Sequence, residues 1–174
     1  MKNNAVILRE IDATFATELT RLWIRTFSEA YSEEHTAENI QLYCETHFTE
    51  PLAAAALADP RTRCTLAFRD SNPIGFTLIR HHDAPYPLPG TASELKQIYV
   101  ISNEFGTGTG DALLRDAMSA ISAAGRNWTW LLVSNKNLRA IAFYKKHQFR
   151  CLGPGETIAV GSDTLPSSIL ARKV

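Results

Sequence analysis

Hydrophobic positions along this chain recur with period two in some stretches and at helical spacing in others. The switches between the two mark out its elements. Ala5 to Glu10 is short and apolar-rich, as a first strand would be. Asp12 suits a helix N-cap. The helix it predicts runs to about Tyr31, with Phe15, Leu19, Leu22, Trp23, Ile24 and Phe27 forming one buried face. Thr36 caps a second helix through about Phe48. Pro51 sits well at the start of a third, Leu52 to Leu57, which Asp59-Pro60 ends. Cys64 to Arg69 and Ile74 to Ile79 bracket Asp70-Ser71-Asn72-Pro73, giving strand, tight turn and strand. Asp83 to Ala92 carries three prolines and a glycine and reads as a loop. Glu94 to Ile101 is the next strand. Gly108 to Ala124 is a helix with Leu113, Leu114, Ala117, Met118 and Ile121 at helical spacing, closed by Gly125. Trp128 to Val133 is a strand, Asn137 to His147 a helix, and Phe149 to Val174 a closing hairpin that turns at Gly161-Ser162-Asp163. The order β, helices, ββ, β-helix-β-helix, ββ predicts one α/β (α+β) domain over residues 1–174, a mixed sheet with helices on its faces.

Composition narrows the class. A chain of 174 residues with 45% hydrophobic content can bury a real core. Lys+Arg and Asp+Glu both number 18, so no global field favours nucleic acid or a membrane. Cys44, Cys64 and Cys151 are widely spaced, form no CxxC pair, and read as reduced, packed thiols. No apolar run approaches transmembrane length, and Met1-Lys2-Asn3-Asn4 leads into a short alternating segment unlike a signal peptide. The expected location is the cytoplasm.

Two segments carry chemistry. Ile98-Tyr99-Val100-Ile101 runs into Gly106, Gly108 and Gly110, and an amphipathic helix follows at once. Helix N-termini present unpaired N–H groups, and glycines let a phosphate come close, so this is a diphosphate cradle or an ordinary flexible strand-to-helix turn. It has no Walker lysine and no GxGxxG spacing. In the second segment, Asn137 and Tyr144 lie two helical turns apart on one face, roughly 10 Å along the axis. Ala140 and Ile141 leave room between them. That face either lines an elongated ligand, or Asn137 is a cap and Tyr144 a core phenol.

Together, in this order, the two segments resemble the GNAT superfamily of acyl-CoA-dependent N-acetyltransferases. Gly108 and Gly110 match the glycines of its acyl-CoA motif, while Phe105 replaces the usual Gln or Arg. Asn137, Ala140, Phe143, Tyr144 and Phe149 match its later motif, while Gln148 replaces a glycine and must make the same turn at a backbone cost. The resemblance implies a mostly antiparallel sheet whose two central parallel strands, 94–101 and 128–134, splay apart. It implies acetyl-CoA as co-substrate; no metal is expected, since no second ligand stands at suitable spacing from His81 and His82. The acetyl-CoA contacts would be Ile98, Tyr99, Val100, Phe105, Gly106, Thr107, Gly108, Thr109, Gly110, Asn137, Phe143 and Tyr144. Tyr144 matches the tyrosine the family places near the CoA sulfur, the candidate acid. Thr26 to Tyr31, Glu38 to Tyr43, Phe48 and Pro51-Leu52 are also similar to the PaiA-type branch, whose members acetylate polyamines.

Acyl transfer to an amine needs a group to take the ammonium proton. Glu94 stands six residues before Val100, where some GNAT enzymes place a general base. With strict period two it shares a face with Lys96, Ile98 and Val100. The other reading is a solvated Glu94 paired with Lys96. Ser28 to Glu50 holds six glutamates and no Lys or Arg, which suits a cationic acceptor or simply solvates and caps helices. Phe27, Tyr31, Glu33, Glu34 and His81 are the acceptor-side candidates. His81 and His82 face opposite sides of their strand, and either could line the acceptor site or shuttle a proton. The expected partner is a small-molecule amine, with no nucleic acid and no membrane, and a homodimer stays open. A protein N-terminal or lysine acetyltransferase and a catalytically silent acyl-CoA-binding regulator are the competing readings.

Overall fold

The computed structural model describes residues 5–174; the Met1–Asn4 start read above lies outside the described residues. The elements are β1 (Ile7–Ile11), α1 (Ala16–Tyr31), α2 (Ala37–His47), α3 (Glu50–Ala58), β2 (Thr62–Arg69), β3 (Asn72–Arg80), β4 (Ala92–Val100), α4 (Thr109–Ala123), β5 (Trp128–Ser134), α5 (Leu138–Lys146), β6 (Arg150–Pro154), β7 (Ile158–Val160), β8 (Asp163–Leu165) and β9 (Ser167–Lys173). Seven strands form one sheet in the order β1-β2-β3-β4-β5-β9-β6, antiparallel throughout except between β4 and β5. This is the mixed, mostly antiparallel sheet the sequence predicts.

Helices cover both faces. Leu19, Leu22, Trp23 and Phe27 of α1 pack with Leu66, Phe76 and Leu78 on one side. Leu114, Ala117 and Ile121 of α4 pack with Ile79, Leu95, Leu131 and Val133 on the other, together with Tyr144 of α5. Strand residues of alternating parity thus feed two separate cores. Thr36 caps α2 as expected, its Oγ1 accepting from the Asn39 N–H at 3.2 Å. Thr36→Ala should cost about 1 kcal/mol of stability, read as a lowered urea midpoint with an unchanged m-value.

Several expectations change. Asp12 caps a 3-10 turn at Ala13–Phe15, and α1 proper begins at Ala16. Ile24, expected in the buried face, is 40% exposed. Cys44 and Cys64 are buried, and burial pushes the Cys64 thiol up to about 12, so it is inert; Cys151 is exposed rather than packed. The C-terminal stretch is not one hairpin. The turn at Gly161–Asp163 joins only β7 to β8, a separate two-stranded sheet, and the closing pair is β6 with β9 around it. The β7–β8 hairpin is fixed to the start of α2. Asp163 Oδ2 meets His35 Nδ1 at 2.7 Å and accepts from Asn39 Nδ2 at 3.1 Å, which holds the Asp163 carboxyl below its usual range.

The consequential change is in β4. Its register with β3 slips by one residue between Leu78 and Ile79, so β4 carries a bulge around Lys96. Glu94, Gln97 and Tyr99 stand opposite Arg80, Leu78 and Phe76, which share one face of β3. The expected face of Glu94, Lys96, Ile98 and Val100 is therefore broken: the bulge inserts one residue and reverses the parity beyond it. Glu94 lies on the α1 side, and Trp23 Nε1 donates to Gln97 Oε1 there at 2.8 Å.

Candidate active site

Strands β4 and β5 pair over three rungs only, Ala92/Trp128, Ser93/Thr129 and Glu94/Trp130. Beyond Glu94 they diverge, although both continue. A bulge bends its strand and increases its twist, and this one follows the last paired rung. Strand β5 keeps its partner β9 along its whole length, so the opening falls between the two central strands.

The edge of β4 that faces this gap is unpaired backbone. Ile101 N–H donates to the Ile74 carbonyl at 2.9 Å, which makes 101/74 a hydrogen-bonded pair. Bonding alternates along an antiparallel ladder, so Tyr99 and Gln97 also face β3, while the N–H groups of Ile98 and Val100 point into the gap.

At one end of the gap the chain turns into α4. Gly106 and Gly108 have φ of +76° and +88°, and a Cβ at either would meet nothing within 4 Å. Glycine is required there by backbone conformation, and the space beside it is open. The N–H groups of Gly106, Gly108, Thr109, Gly110 and Asp111 make no backbone hydrogen bond among the described residues, since the first helical bond runs from Ala112 to Gly108. The turn is held from behind. Glu104 accepts from Arg69 Nε and Nη2, both at 2.9 Å, and from Thr107 Oγ1 at 3.1 Å, and the Arg69 bonds keep its carboxyl below the usual range. The Arg139 guanidinium lies 3.5 Å from the Phe105 ring centre. An aromatic at 105 thus seats a cation at the mouth of the cradle.

Helix α5 forms the opposite wall. Asn137 Oδ1 caps it by accepting from Ala140 N–H at 3.0 Å, so only the side-chain NH2 is left to donate outward. Gln148 makes the turn after α5 with φ +65° and ends the helix with bonds from its own N–H to Lys145 and from Phe149 N–H to Tyr144. Tyr144 is buried. Desolvation, reinforced by the neighbouring Tyr31 phenol, raises its proton affinity, so the phenol stays protonated at neutral pH and can only donate to a developing anion.

Two cavities meet in the gap. One, of about 330 Å3, runs from the glycine turn past Val100, Arg139 and Phe143 to Tyr144. The other, of about 360 Å3, lies on the α1 side and is lined by Phe27, Tyr31, Tyr43, Glu94, Tyr144 and Glu156 among others. Ile98, Tyr99, Asn137, Ala140 and Tyr144 line both, so the two cavities adjoin at the gap and mark a passage between β4 and β5. A long ligand anchored at a helix N-terminus can reach from one face, and a second ligand can meet it from the other. A family model described as the acetyltransferase (GNAT) family matches residues 16–149.

The chain is a GNAT-family acetyltransferase.

An uncharacterized N-acetyltransferase of Mycobacterium tuberculosis is 28% identical over 162 residues, covering 92% of this chain and 99% of that one. Among solved structures, a PaiA N-acetyltransferase from Thermoplasma acidophilum in complex with coenzyme A has TM-score 0.78 at 17% identity, covering 98% of this chain and 99% of that one. A probable acetyltransferase from Staphylococcus epidermidis has TM-score 0.73 at 14% identity, with 97% and 99% covered. These two are likenesses of fold.

Within this acetyltransferase the sequence-predicted residues divide. Ile98, Tyr99, Val100, Phe105, Gly106, Gly108, Gly110, Asn137, Phe143 and Tyr144 all line the first cavity. Thr107 and Thr109 do not. Their hydroxyls turn inward to each other, at 2.9 Å, and to Glu104, so they build the turn rather than face the ligand space. The Phe105 N–H is already donated to the Ser102 carbonyl. Phe27 and Tyr31 line the second cavity, whereas Glu33 and Glu34 sit exposed in the α1–α2 turn and line neither. His81 turns away and bonds Ser93 Oγ at 2.8 Å; its neighbour His82 is the histidine that reaches Glu94. Glu156 was not singled out for these cavities by spacing, because it enters from a segment distant in sequence; Arg139, which the basic face of α5 offers for nucleotide phosphates, lines the first cavity beside Asn137 and Tyr144.

Among the described residues no group of three or more His, Cys, Asp or Glu is placed to hold a metal ion, and no helix is long and apolar enough to cross a membrane.

Proposed function

We propose that this acetyltransferase moves an acetyl group from acetyl-CoA to the primary amine of a small cationic molecule. The observation that carries the reading is the placement of Glu94 and Tyr144 on the passage through the sheet, one on its α1 side and the other shared by both cavities. Acetyl-CoA supplies the activated thioester. The open amides of Gly106, Gly108, Thr109, Gly110 and Asp111 take its diphosphate at the positive end of α4, with Arg139 beside them. The free NH2 of Asn137 donates to the pantetheine arm. Ile98 and Val100 N–H groups face the same passage, and the Val100 amide polarises the thioester carbonyl as a fixed donor. Glu94 takes the proton of the incoming ammonium and so exposes its lone pair. Tyr144 donates to the departing thiolate.

Two carboxylates in the lining of the acceptor cavity, Glu94 and Glu156, favour a cationic ligand, and the Phe27, Tyr31 and Tyr43 rings can pack along an alkyl chain or a second ammonium. Phe27 and Tyr43 stack at 4.4 Å and present a continuous aromatic wall. The similarity to PaiA-type enzymes points the same way, to a polyamine.

The test is a thiol-release assay with acetyl-CoA and a panel of amines. Spermidine should be turned over faster than a neutral amine of equal length and faster than a peptide N-terminus. The part of the preference that the exposed Glu156 supplies should shrink with salt, because exposed charges are screened over about 8–10 Å at physiological ionic strength, while the buried Glu94 keeps its part. Equal rates for spermidine and the neutral amine at low salt would remove the polyamine reading. No thiol release with any amine would remove the enzyme reading.

A further inference from the structure

The base in this site is nearly sealed. Glu94 has a side chain only 5% exposed, and it lines two neighbouring spaces, as Leu132 and Glu156 do. One is the acceptor cavity. The other is a second trench of about 600 Å3, lined by His82, Asp83, Tyr86, Trp130, Glu156 and neighbours. An acceptor that fills its own cavity blocks the direct way out for the proton Glu94 has taken. Each turnover nevertheless has to return that carboxyl to its ionised form.

His82 joins Glu94 to the second trench, which it lines, and is absent from the lining of the acceptor cavity. Its Nε2 lies 2.8 Å from Glu94 Oε2, and its side chain, 39% exposed, lines the second trench. The ring is held edge-on to Trp130 at 5.0 Å between centroids. Trp130 Nε1 also donates to the His82 backbone carbonyl at 3.1 Å. Trp130 is itself the β5 residue on the last paired rung, opposite Glu94, so the fork in the sheet positions all three groups. The other Glu94 oxygen faces Lys96 Nζ at 3.5 Å, an ammonium that carries its full complement of protons and can accept none.

We propose that His82 is the proton exit of this enzyme, passing to the second trench the proton that Glu94 takes from the acceptor. The acceptor ammonium loses H+ to the Glu94 carboxylate. The carboxylic acid passes it to the unprotonated Nε2 of His82, the resulting imidazolium loses its Nδ1 proton to water or buffer in the trench, and exchange with that water returns the remaining proton from Nε2 to Nδ1 before the next turnover. No electrons move, and both side chains return to their starting charge. Imidazole can take one proton and release another near neutral pH, which suits it to this work. The proposal rests on Glu94 as base.

The test uses the full chain with acetyl-CoA and the best amine of the panel, in dilute buffer. His82→Ala should lower kcat about 10²-fold with the acceptor KM nearly unchanged, and added imidazole should restore much of the rate. His82→Gln keeps a hydrogen-bonding amide toward Glu94 but cannot carry a proton, so it should be as slow as His82→Ala. The Trp130 bond goes to backbone and survives both changes, and unaltered thermal midpoints would confirm folding. Glu94→Gln should abolish turnover with no rescue by imidazole. Wild-type rates in His82→Ala, recovery in His82→Gln, or a loss that neither imidazole nor buffer concentration relieves would overturn the exit role alone. An active Glu94→Gln would instead overturn the base on which it rests.

Discussion

Tyr144→Phe should lower turnover about 10²-fold or more while leaving the affinity for acetyl-CoA nearly intact, as loss of a general acid does. The phenol is buried between the two cavities, and its ring packs on Phe149 at 5.4 Å and Phe143 at 5.7 Å. Phenylalanine keeps those contacts and removes only the donor. Burial raises the proton affinity of the phenol, so the group is uncharged throughout the neutral range and its deletion leaves no charge behind. The measurement is steady-state kinetics beside acetyl-CoA titration by calorimetry. If affinity collapses and turnover survives, Tyr144 is a packing residue and the acid lies elsewhere.

Gly108→Glu should abolish the thermal stabilisation that acetyl-CoA gives the wild-type protein. A ligand that binds only the folded state at about 100 times its Kd adds about 2.7 kcal/mol at 25 °C, a shift easily read in a melting curve. Gly108 is the N-cap of α4 with φ +88°, and its side-chain direction opens on empty space. The added carboxylate has room, so it places negative charge among the amides meant for a diphosphate. Any L-residue there also costs about 1–2 kcal/mol of backbone strain. Gly108→Ala carries that strain without the charge: its baseline midpoint should fall, yet acetyl-CoA should still raise it. A folded Gly108→Glu protein with an unchanged acetyl-CoA shift would move the cofactor site away from the α4 turn.

The legible part of this protein is local. Gly106 and Gly108 had to be glycines because their φ values are positive, and that requirement is written in the chain itself. Asn137 and Tyr144 are seven residues apart on one helix, so their shared face followed from helical geometry alone. The alternating runs and the caps at Thr36 and Asn137 gave the element order, because hydrophobic period and N-cap chemistry are properties of adjacent residues. The charge-rich α1–α2 turn lines neither cavity at the gap, for the same reason. Composition shows that Glu33 and Glu34 are acidic, and it is silent on which way they face.

What only the tertiary structure decided begins with one extra residue in β4. The bulge at Lys96 reverses side-chain parity, sets Glu94 with Gln97 and Tyr99, and bends the strand away from β5. A bulge is defined by the partner strand, and nothing in Glu94-Leu95-Lys96-Gln97 by itself distinguishes it from regular pairing. The same holds for His82 against Glu94, twelve residues apart and opposed only because β3 returns antiparallel to β4. Glu156 reaches the cavity on the α1 side from the C-terminal part of the chain. The sequence determined which local elements form and where the glycine turn opens into α4. Pairing between distant strands determined which carboxylates and which histidine meet at the gap, because register is an interaction between segments and belongs to neither of them alone.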